Sequence, residues 1–339
     1  MGLISYFRNL KNALYYYNMA RGRHLRVFMF YSTNRCNCRC LHCNIWRKEP
    51  KVDLSPDIVE SVINAECTNS RLYPTVFGLE GGEFLLHPKH REILEIVKDR
   101  DYLLLSNAVL DDLLIDTVRE FNVQKLHISL DGCRETHARI RGIDNFRKID
   151  HVVKELRKET TITLVYTFTP YNSYKDFMFV KNYTKQMGVN MTYSIFEDIT
   201  YFDVGDAFKE RANVLEGYDL KGKTDPYLLY YQDWLGGRIK VPCFSPLYRL
   251  ICYPNGDVPL CHREKIILGN LYEKSLDEIW HSKRTKEIQK RFTGSCNDCW
   301  TCYHRPADLF YIRILSKGFP QFITKKLLRT RMDTKKFCE

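Results

Sequence analysis

Between Val27 and Phe196 the chain alternates six times between a short β-branched or aromatic run and a stretch of helical apolar spacing. The strand patterns are Val27–Thr33, Pro74–Leu79, Tyr102–Leu105, Gln124–Leu130, Thr160–Thr169 and Val189–Phe196. Helical patterns follow at Pro56–Cys67, Pro88–Val97, Asp112–Phe121, Phe146–Leu156 and Ser173–Met187. Six alternations in about 170 residues predict a parallel sheet with helical crossovers. Periodicity alone leaves an open doubly wound sheet and a partial barrel both standing. Either places functional groups at the C-terminal ends of the strands. Cys36, Gly81, Asn107, Asp131 and Glu197 fall there.

Composition excludes several classes. With 44% apolar and 27% charged residues, neither a disordered chain nor a fibre is expected. No apolar run reaches the length of a membrane span, and no apolar segment with a cleavage site marks a secretory signal. The chain is therefore expected in the cytoplasm. Its 13 cysteines are too sparse for a disulfide scaffold, and they cluster. Cys36, Cys38, Cys40 and Cys43 share one short stretch, and Cys296, Cys299 and Cys302 another, as metal sites do.

The first group, Cys36-Asn-Cys38-Arg-Cys40-Leu-His-Cys43, contains the spacing Cys-x3-Cys-x2-Cys. Three thiolates on one loop can hold three irons of a [4Fe–4S] cluster and leave the fourth iron open to a ligand. The competing reading is a zinc loop that takes Cys38 or His42 as its fourth ligand. Leu79-Glu80-Gly81-Gly82-Glu83 follows the second strand pattern, Ser129-Leu130-Asp131-Gly132 the fourth, and Ile140-Arg141-Gly142 lies before Phe146.

Together these segments resemble the radical S-adenosylmethionine (radical SAM) superfamily over about residues 27–304. The resemblance implies an α/β fold, a partial (β/α)6 TIM-like barrel, with a small C-terminal cysteine-rich α+β domain. It implies a [4Fe–4S] cluster on Cys36, Cys40 and Cys43, with S-adenosylmethionine on the open iron. Reductive cleavage would then give a 5′-deoxyadenosyl radical that abstracts a substrate hydrogen. Gly81, Gly82 and Glu83 would line the methionine amino group, glycine permitting close backbone approach. Ser129 and Arg141 would meet the carboxylate and ribose, Asn107 would face the same mouth, and His42 would stack on adenine. Two residues depart from the family pattern: Phe84 stands where the motif has proline, and His42 where an aromatic precedes the last cysteine.

Cys243, Cys261, Cys296, Cys299 and Cys302 form a second group, and Cys243-x12-Gly256-x4-Cys261 resembles the opening of a SPASM/twitch extension. That resemblance implies one auxiliary [4Fe–4S] cluster held by protein ligands alone, with one of the three late cysteines left over. The turn Pro254-Asn255-Gly256-Asp257 predicts a hairpin between 249–253 and 258–261.

Charge is uneven. The chain carries +11, of which residues 1–26 carry +5 and residues 305–339 carry +6, leaving 27–304 neutral. Both ends mix cations with apolar residues at helical spacing, which predicts docking on an anionic membrane surface, peripheral on the inner face, or packing against the barrel. No nucleic-acid partner is expected. The expected organisation is a basic segment (1–26), a radical SAM core (27–200), a bridge (201–240), an auxiliary-cluster domain (241–304) and a basic tail (305–339).

The function expected is an oxidoreductase or related radical enzyme. It would oxidise or rearrange a small or lipid-linked molecule, fed by an electron donor such as flavodoxin or ferredoxin. With 35 residues ahead of Cys36, no separate leader-peptide-binding domain is expected there. The alternatives are a peptide-modifying maturase, or a non-catalytic Fe–S or zinc protein for electron transfer or partner docking. Glu197 and Asp198 are candidate proton acceptors at the end of the sixth strand.

Overall fold

The first strand, β1 (Val27–Thr33), is buried along its whole length after Val27. A strand apolar on both faces belongs inside a parallel sheet covered by helices. Five more strands follow: β2 (Val76–Gly81), β3 (Tyr102–Ser106), β4 (Lys125–Ser129), β5 (Thr161–Phe168) and β6 (Asn190–Ile195). Each pairs in parallel with its predecessor. Among these six strands sheet order thus follows chain order, with no reversal. A doubly wound sheet needs a reversal to place helices on both faces. Without one, right-handed crossovers stack every helix on one face. The other face is left to curl inward, as a partial barrel does. The computed structural model that shows this describes residues 24–70, 74–197, 199–204, 214–218, 225–241, 243–293 and 295–302, with Arg305, Asp308 and Leu309. Asp198 and nearly all of both basic ends lie outside the described residues.

The helices form where the apolar spacing predicts. Helix α1 (Pro56–Ile63) begins with Ser55 accepting from Asp57 N and with proline at its first position, and buries Ile58, Val59, Val62 and Ile63. It stops short of the expected Cys67. Residues 66–68 form a 3₁₀ turn instead, and Asp277, from the C-terminal unit, accepts from Glu66 N at 2.7 Å and Cys67 N at 2.9 Å. Helices α2 (His90–Val97) and α3 (Asp111–Glu120) cover the next two crossovers. A helix not expected from spacing, α4 (Arg134–Arg141), buries only His137 and Ile140, too little for a visible apolar stripe. Helix α5 is Phe146–Leu156, and α6 (Tyr174–Met187) opens on a Ser173–Asp176 capping box. In the bridge lie two short helices, α7 (Pro226–Leu229) and α8 (Tyr231–Leu235).

The expected hairpin does not form. The turn itself closes, with Gly256 N donating to Tyr253 O and Tyr253 N to Asp257 O, both at 2.9 Å. Its two arms part, however. Strand β7 (Arg249–Cys252) adds to β1 in parallel as a seventh strand of the main sheet. β8 (Asp257–Pro259) pairs antiparallel with β9 (Ile267–Asn270). The physical reason is the free edge of β1. Its unpaired backbone groups, buried inside the protein, need partners. Helices α9 (Leu276–His281) and α10 (Lys283–Phe292) complete the described C-terminal unit. Among the described residues no helix is long and apolar enough to cross a membrane.

Candidate functional site

The C-terminal ends of the strands enclose a cavity of about 180 Å³. Cys36, Cys38, Cys40, His42, Cys43, Gly81, Gly82, Asn107, Ser129, Arg141, Glu197 and Cys302 all line it. Sequence positions from 36 to 302 meet because parallel strands deliver all their C-terminal ends to one rim.

Hydrogen bonds from two sides fix the cysteine loop. Arg39 N donates to Arg141 O at 2.8 Å and Leu41 N to Ile140 O at 2.9 Å. These are last-turn carbonyls of α4, which have no partner within their own helix. On the other side Gly82 N donates to Thr33 O at 2.8 Å and Glu83 N to Arg35 O at 2.7 Å. A Cβ on Gly82 would stand 1.9 Å from Arg35 O. The loop itself thus requires this glycine. Asn107 Nδ2 donates to Asn37 Oδ1 at 2.7 Å and ties the loop to β3.

Arg141 forms the electrostatic centre of the wall. Its Nε donates to Asp131 Oδ2 at 2.5 Å, and its Nη1 lies 3.7 Å from Cys40 Sγ. Burial alone would push the Asp131 carboxyl up, but Arg141, His42 and His137 outweigh it and hold it below its ordinary value. Asp131 Oδ1 also accepts from Thr167 N at 3.1 Å. Its part in anchoring Arg141 was not anticipated from its motif. Burial, then Arg141, lowers His42 to about 4, so its ring is neutral at pH 7. The ring meets Phe196 edge-on at 6.0 Å, and among the described residues its Nδ1 has no hydrogen-bond partner.

The Cys38 thiol lies against those of Cys36 and Cys40. Hydrogen bonding from Cys38, with Arg141 acting against burial, lowers Cys40 to about 7. A metal ligand must be a thiolate, so Arg141 favours the ligating form of Cys40, whereas burial pushes the Cys43 thiol up. Glu83 departs from its expected place. It is not part of the cavity lining but points behind it. There it accepts from Asn107 N at 2.8 Å, Ser106 Oγ at 3.0 Å and Leu85 N at 3.4 Å. Burial raises it to about 7 despite these donors. It joins the end of β2 to the end of β3.

The late cysteines divide four to one. Cys243 N donates to Cys296 O at 3.1 Å. After burial, the Cys243 thiol feels Cys299 and Cys296, and those two feel Cys261. Cys302 stands apart and faces the barrel cavity, with the Ser194 hydroxyl beside its thiol. Arg305, fully buried, lies beside the group of four, its Nε donating to Cys299 O at 2.7 Å and its Nη1 3.5 Å from Asp308. Arg305 and Asp308 thus pack into the cysteine unit rather than a surface tail. Glu197 lines the cavity. Trp300 N donates to one, and Arg263 lies 3.9 Å from the other.

Donor spacing tests what each group suits. Zinc at about 2.3 Å from tetrahedral sulfurs would hold them about 3.8 Å apart. Among the described residues, the one trio of potential ligands within 4.8 Å of one another is Asp111, Asp112 and His151, at the surface, and no three cysteines come that close. In a [4Fe–4S] cluster each cysteine binds a different iron, so wider spacing is required. Both cysteine groups fit a cluster better than a single ion.

A partial barrel with a cysteine loop at its rim and a second cysteine unit on its edge defines a class of cluster-bearing proteins. Residues 30–182 match the Radical SAM superfamily, and residues 243–303 match the SPASM iron–sulfur cluster-binding domain. The chain belongs to the radical SAM superfamily and carries a C-terminal SPASM domain. Membership implies an enzyme that uses S-adenosylmethionine, [4Fe–4S] clusters and radical chemistry. Similar solved structures include SuiB of Streptococcus suis bound to S-adenosylmethionine, with a TM-score of 0.58 and 13% identity over 79% of this chain and 68% of that one. SuiB bound to precursor peptide SuiA gives 0.59 and 11% identity over 79% and 67%. Native anSMEcpe with AdoMet and the Kp18Cys peptide gives 0.56 and 16% identity over 90% and 99%. No curated protein matches the chain's sequence significantly.

Proposed function

We propose that Cys36, Cys40 and Cys43 hold the cluster that binds S-adenosylmethionine, and that Cys243, Cys261, Cys296 and Cys299 hold one auxiliary [4Fe–4S] cluster. When bound, the first cluster and S-adenosylmethionine supply the 5′-deoxyadenosyl radical that takes a hydrogen from an unactivated carbon. The observation that carries this reading is the single cavity in which the loop thiols, Gly81, Gly82, Ser129 and Arg141 meet.

The chain's own residues do the rest. Asp131 fixes Arg141 so that its remaining N–H groups serve a carboxylate. Asn107 and the carbonyls at the end of α4 hold the cysteine loop in place. Glu197 holds a carboxylate at the cavity wall, where it is the candidate proton acceptor for an oxidised substrate. The cavity lining also presents Thr167, Ser194 and Thr301, which suits a polar group of a small or lipid-linked molecule. The basic ends would bring the protein to an anionic membrane that displays such a substrate. A second reading is peptide modification, and it is supported by the fold shared with SuiB and anSMEcpe, whose structures contain peptides.

Anaerobic reconstitution tests the cluster assignment. About eight irons per chain are expected, falling to about four when Cys36, Cys40 and Cys43 are replaced by alanine. With dithionite and S-adenosylmethionine the wild type should release 5′-deoxyadenosine, and Cys40→Ala should not. Stoichiometric zinc, or a full cluster complement without cleavage in the presence of substrate, would overturn it.

A further inference from the structure

The cysteine loop alternates in direction as a strand does. Cys38, Cys40 and His42 are buried towards the cavity, and Arg39 and Leu41 face solvent. Leu41 keeps 43% of its surface exposed, an unusual place for a leucine whose backbone is pinned to α4. Beside it two guanidinium groups share one indole: Arg47 lies 4.6 Å and Arg39 5.8 Å from the Trp46 ring centroid. Among the described residues neither Arg39 nor Arg47 pairs with a carboxylate, and what sets them apart from other such arginines is that they meet at one indole beside the cysteine loop. Two like charges on one indole, with no carboxylate partner among the described residues and next to an exposed apolar side chain, complement an acidic protein surface with an apolar contact.

The location identifies what such a protein would bring. Leu41 is the residue next to Cys40, so their Cα atoms are about 3.8 Å apart. A partner seated on Leu41 is one peptide unit from a cluster ligand. Resting on the cluster reading above, we propose that Arg39, Leu41 and Arg47 form the docking surface for an acidic one-electron carrier protein. The carrier loses one electron and the cluster gains it. No bond forms or breaks, and no proton moves.

The test uses the reconstituted holoenzyme, with photoreduced flavodoxin as the acidic carrier and dithionite as a reductant that needs no docking. Loss of cluster absorbance is followed by anaerobic stopped flow, and flavodoxin affinity is measured by calorimetry. Arg39→Glu and Arg47→Glu should each slow reduction by flavodoxin on the order of tenfold at low salt, an effect that shrinks as salt is raised. Each should also weaken flavodoxin binding and leave the dithionite rate within twofold of wild type. Arg39→Lys and Arg47→Lys keep the charge and should keep the rate. Flavodoxin rates and affinities unchanged by both reversals would overturn the proposal. So would reversals that slow dithionite equally, since the loop rather than docking would then be damaged. If dithionite fails to reduce the wild-type cluster, the cluster reading itself falls, and the docking surface with it.

Discussion

Asp131→Asn gives the sharpest test of how the cavity wall is held. Asp131 is fully buried and its Oδ2 stands 2.5 Å from Arg141 Nε. At an effective dielectric of 20 that separation corresponds to an attraction of roughly 6–7 kcal/mol. Desolvation of both ions offsets much of it, so the pair adds little against an apolar replacement. Removing one partner is different. Asparagine can still accept from Thr167 N through its oxygen, but its amide N–H2 would then face the Arg141 guanidinium, donor against donor. A buried cation without a counter-charge costs about 3–5 kcal/mol. Arg141→Met leaves Asp131 buried and unpaired at a similar cost. The double variant removes both charges, so its loss should fall well short of the sum of the two singles. Urea unfolding of the anaerobic, reduced apo-protein measures all three without the cluster. Two results would refute the reasoning: Asp131→Asn within about 1 kcal/mol of wild type, or strictly additive single losses.

Four further outcomes are expected. Gly82→Ala would set a Cβ 1.9 Å from Arg35 O, so the cysteine loop must move, and reconstituted protein should keep about half its iron. Cys302→Ser should retain about eight irons whereas Cys299→Ser should fall to about four, because Cys302 faces the barrel cavity; iron analysis with EPR separates the two. The folded protein keeps a proton on Glu83 up to about pH 7, whereas the unfolded chain loses it at ordinary carboxylate pH. Wild-type apo-protein should therefore lose about 2 kcal/mol relative to Glu83→Gln as pH rises from 5 to 7, seen in urea midpoints, and a parallel pH profile would contradict it. Flotation with anionic liposomes should weaken in high salt and on deletion of residues 311–339, and absence of binding at low salt would end the membrane reading.

Six of the seven parallel strands were legible because burial on both faces writes itself as β-branched and aromatic runs. The rim residues were legible for a related reason: parallel strands send all their ends to one side, so a motif at a strand end is already near the others. What escaped depended on partners distant in sequence. α4 carries one buried aliphatic residue, Ile140, and is held in place by loop hydrogen bonds. β7 carries a sequence that suits a hairpin equally well, and the free edge of β1 decides its pairing. Glu83 stands in a motif associated with ligand contact, yet the N–H of Asn107 and the Ser106 hydroxyl turn it inward. Spacing could not separate Cys302 from Cys299, because three residues of loop can point either way.

The division of the late cysteines is more than bookkeeping of ligands. Residues 249–252 extend the barrel sheet, and Tyr227 OH both donates to Trp300 O at 2.8 Å and accepts from Ile195 N at 3.0 Å. Trp300 N is held by Glu197 at the end of β6. The segment 299–302 is therefore a shared wall: Cys299, Val241 and Arg305 lie on the side of the four thiols, and Thr301 and Cys302 on the side of the barrel cavity. A substrate in that cavity would meet the loop thiols and also Thr301 and Cys302, which belong to the wall shared with the four late thiols. Arg305 is buried beside that group of four and shifts the Cys243, Cys296 and Cys299 thiols towards their charged form, while burial at all three and the paired Asp308 at Cys243 act against it. The wall thus has the buried Arg305–Asp308 pair on its far side and a carboxylate, Glu197, on its near side. On the function proposed above, Glu197 is the group on that wall that would take the proton from an oxidised substrate.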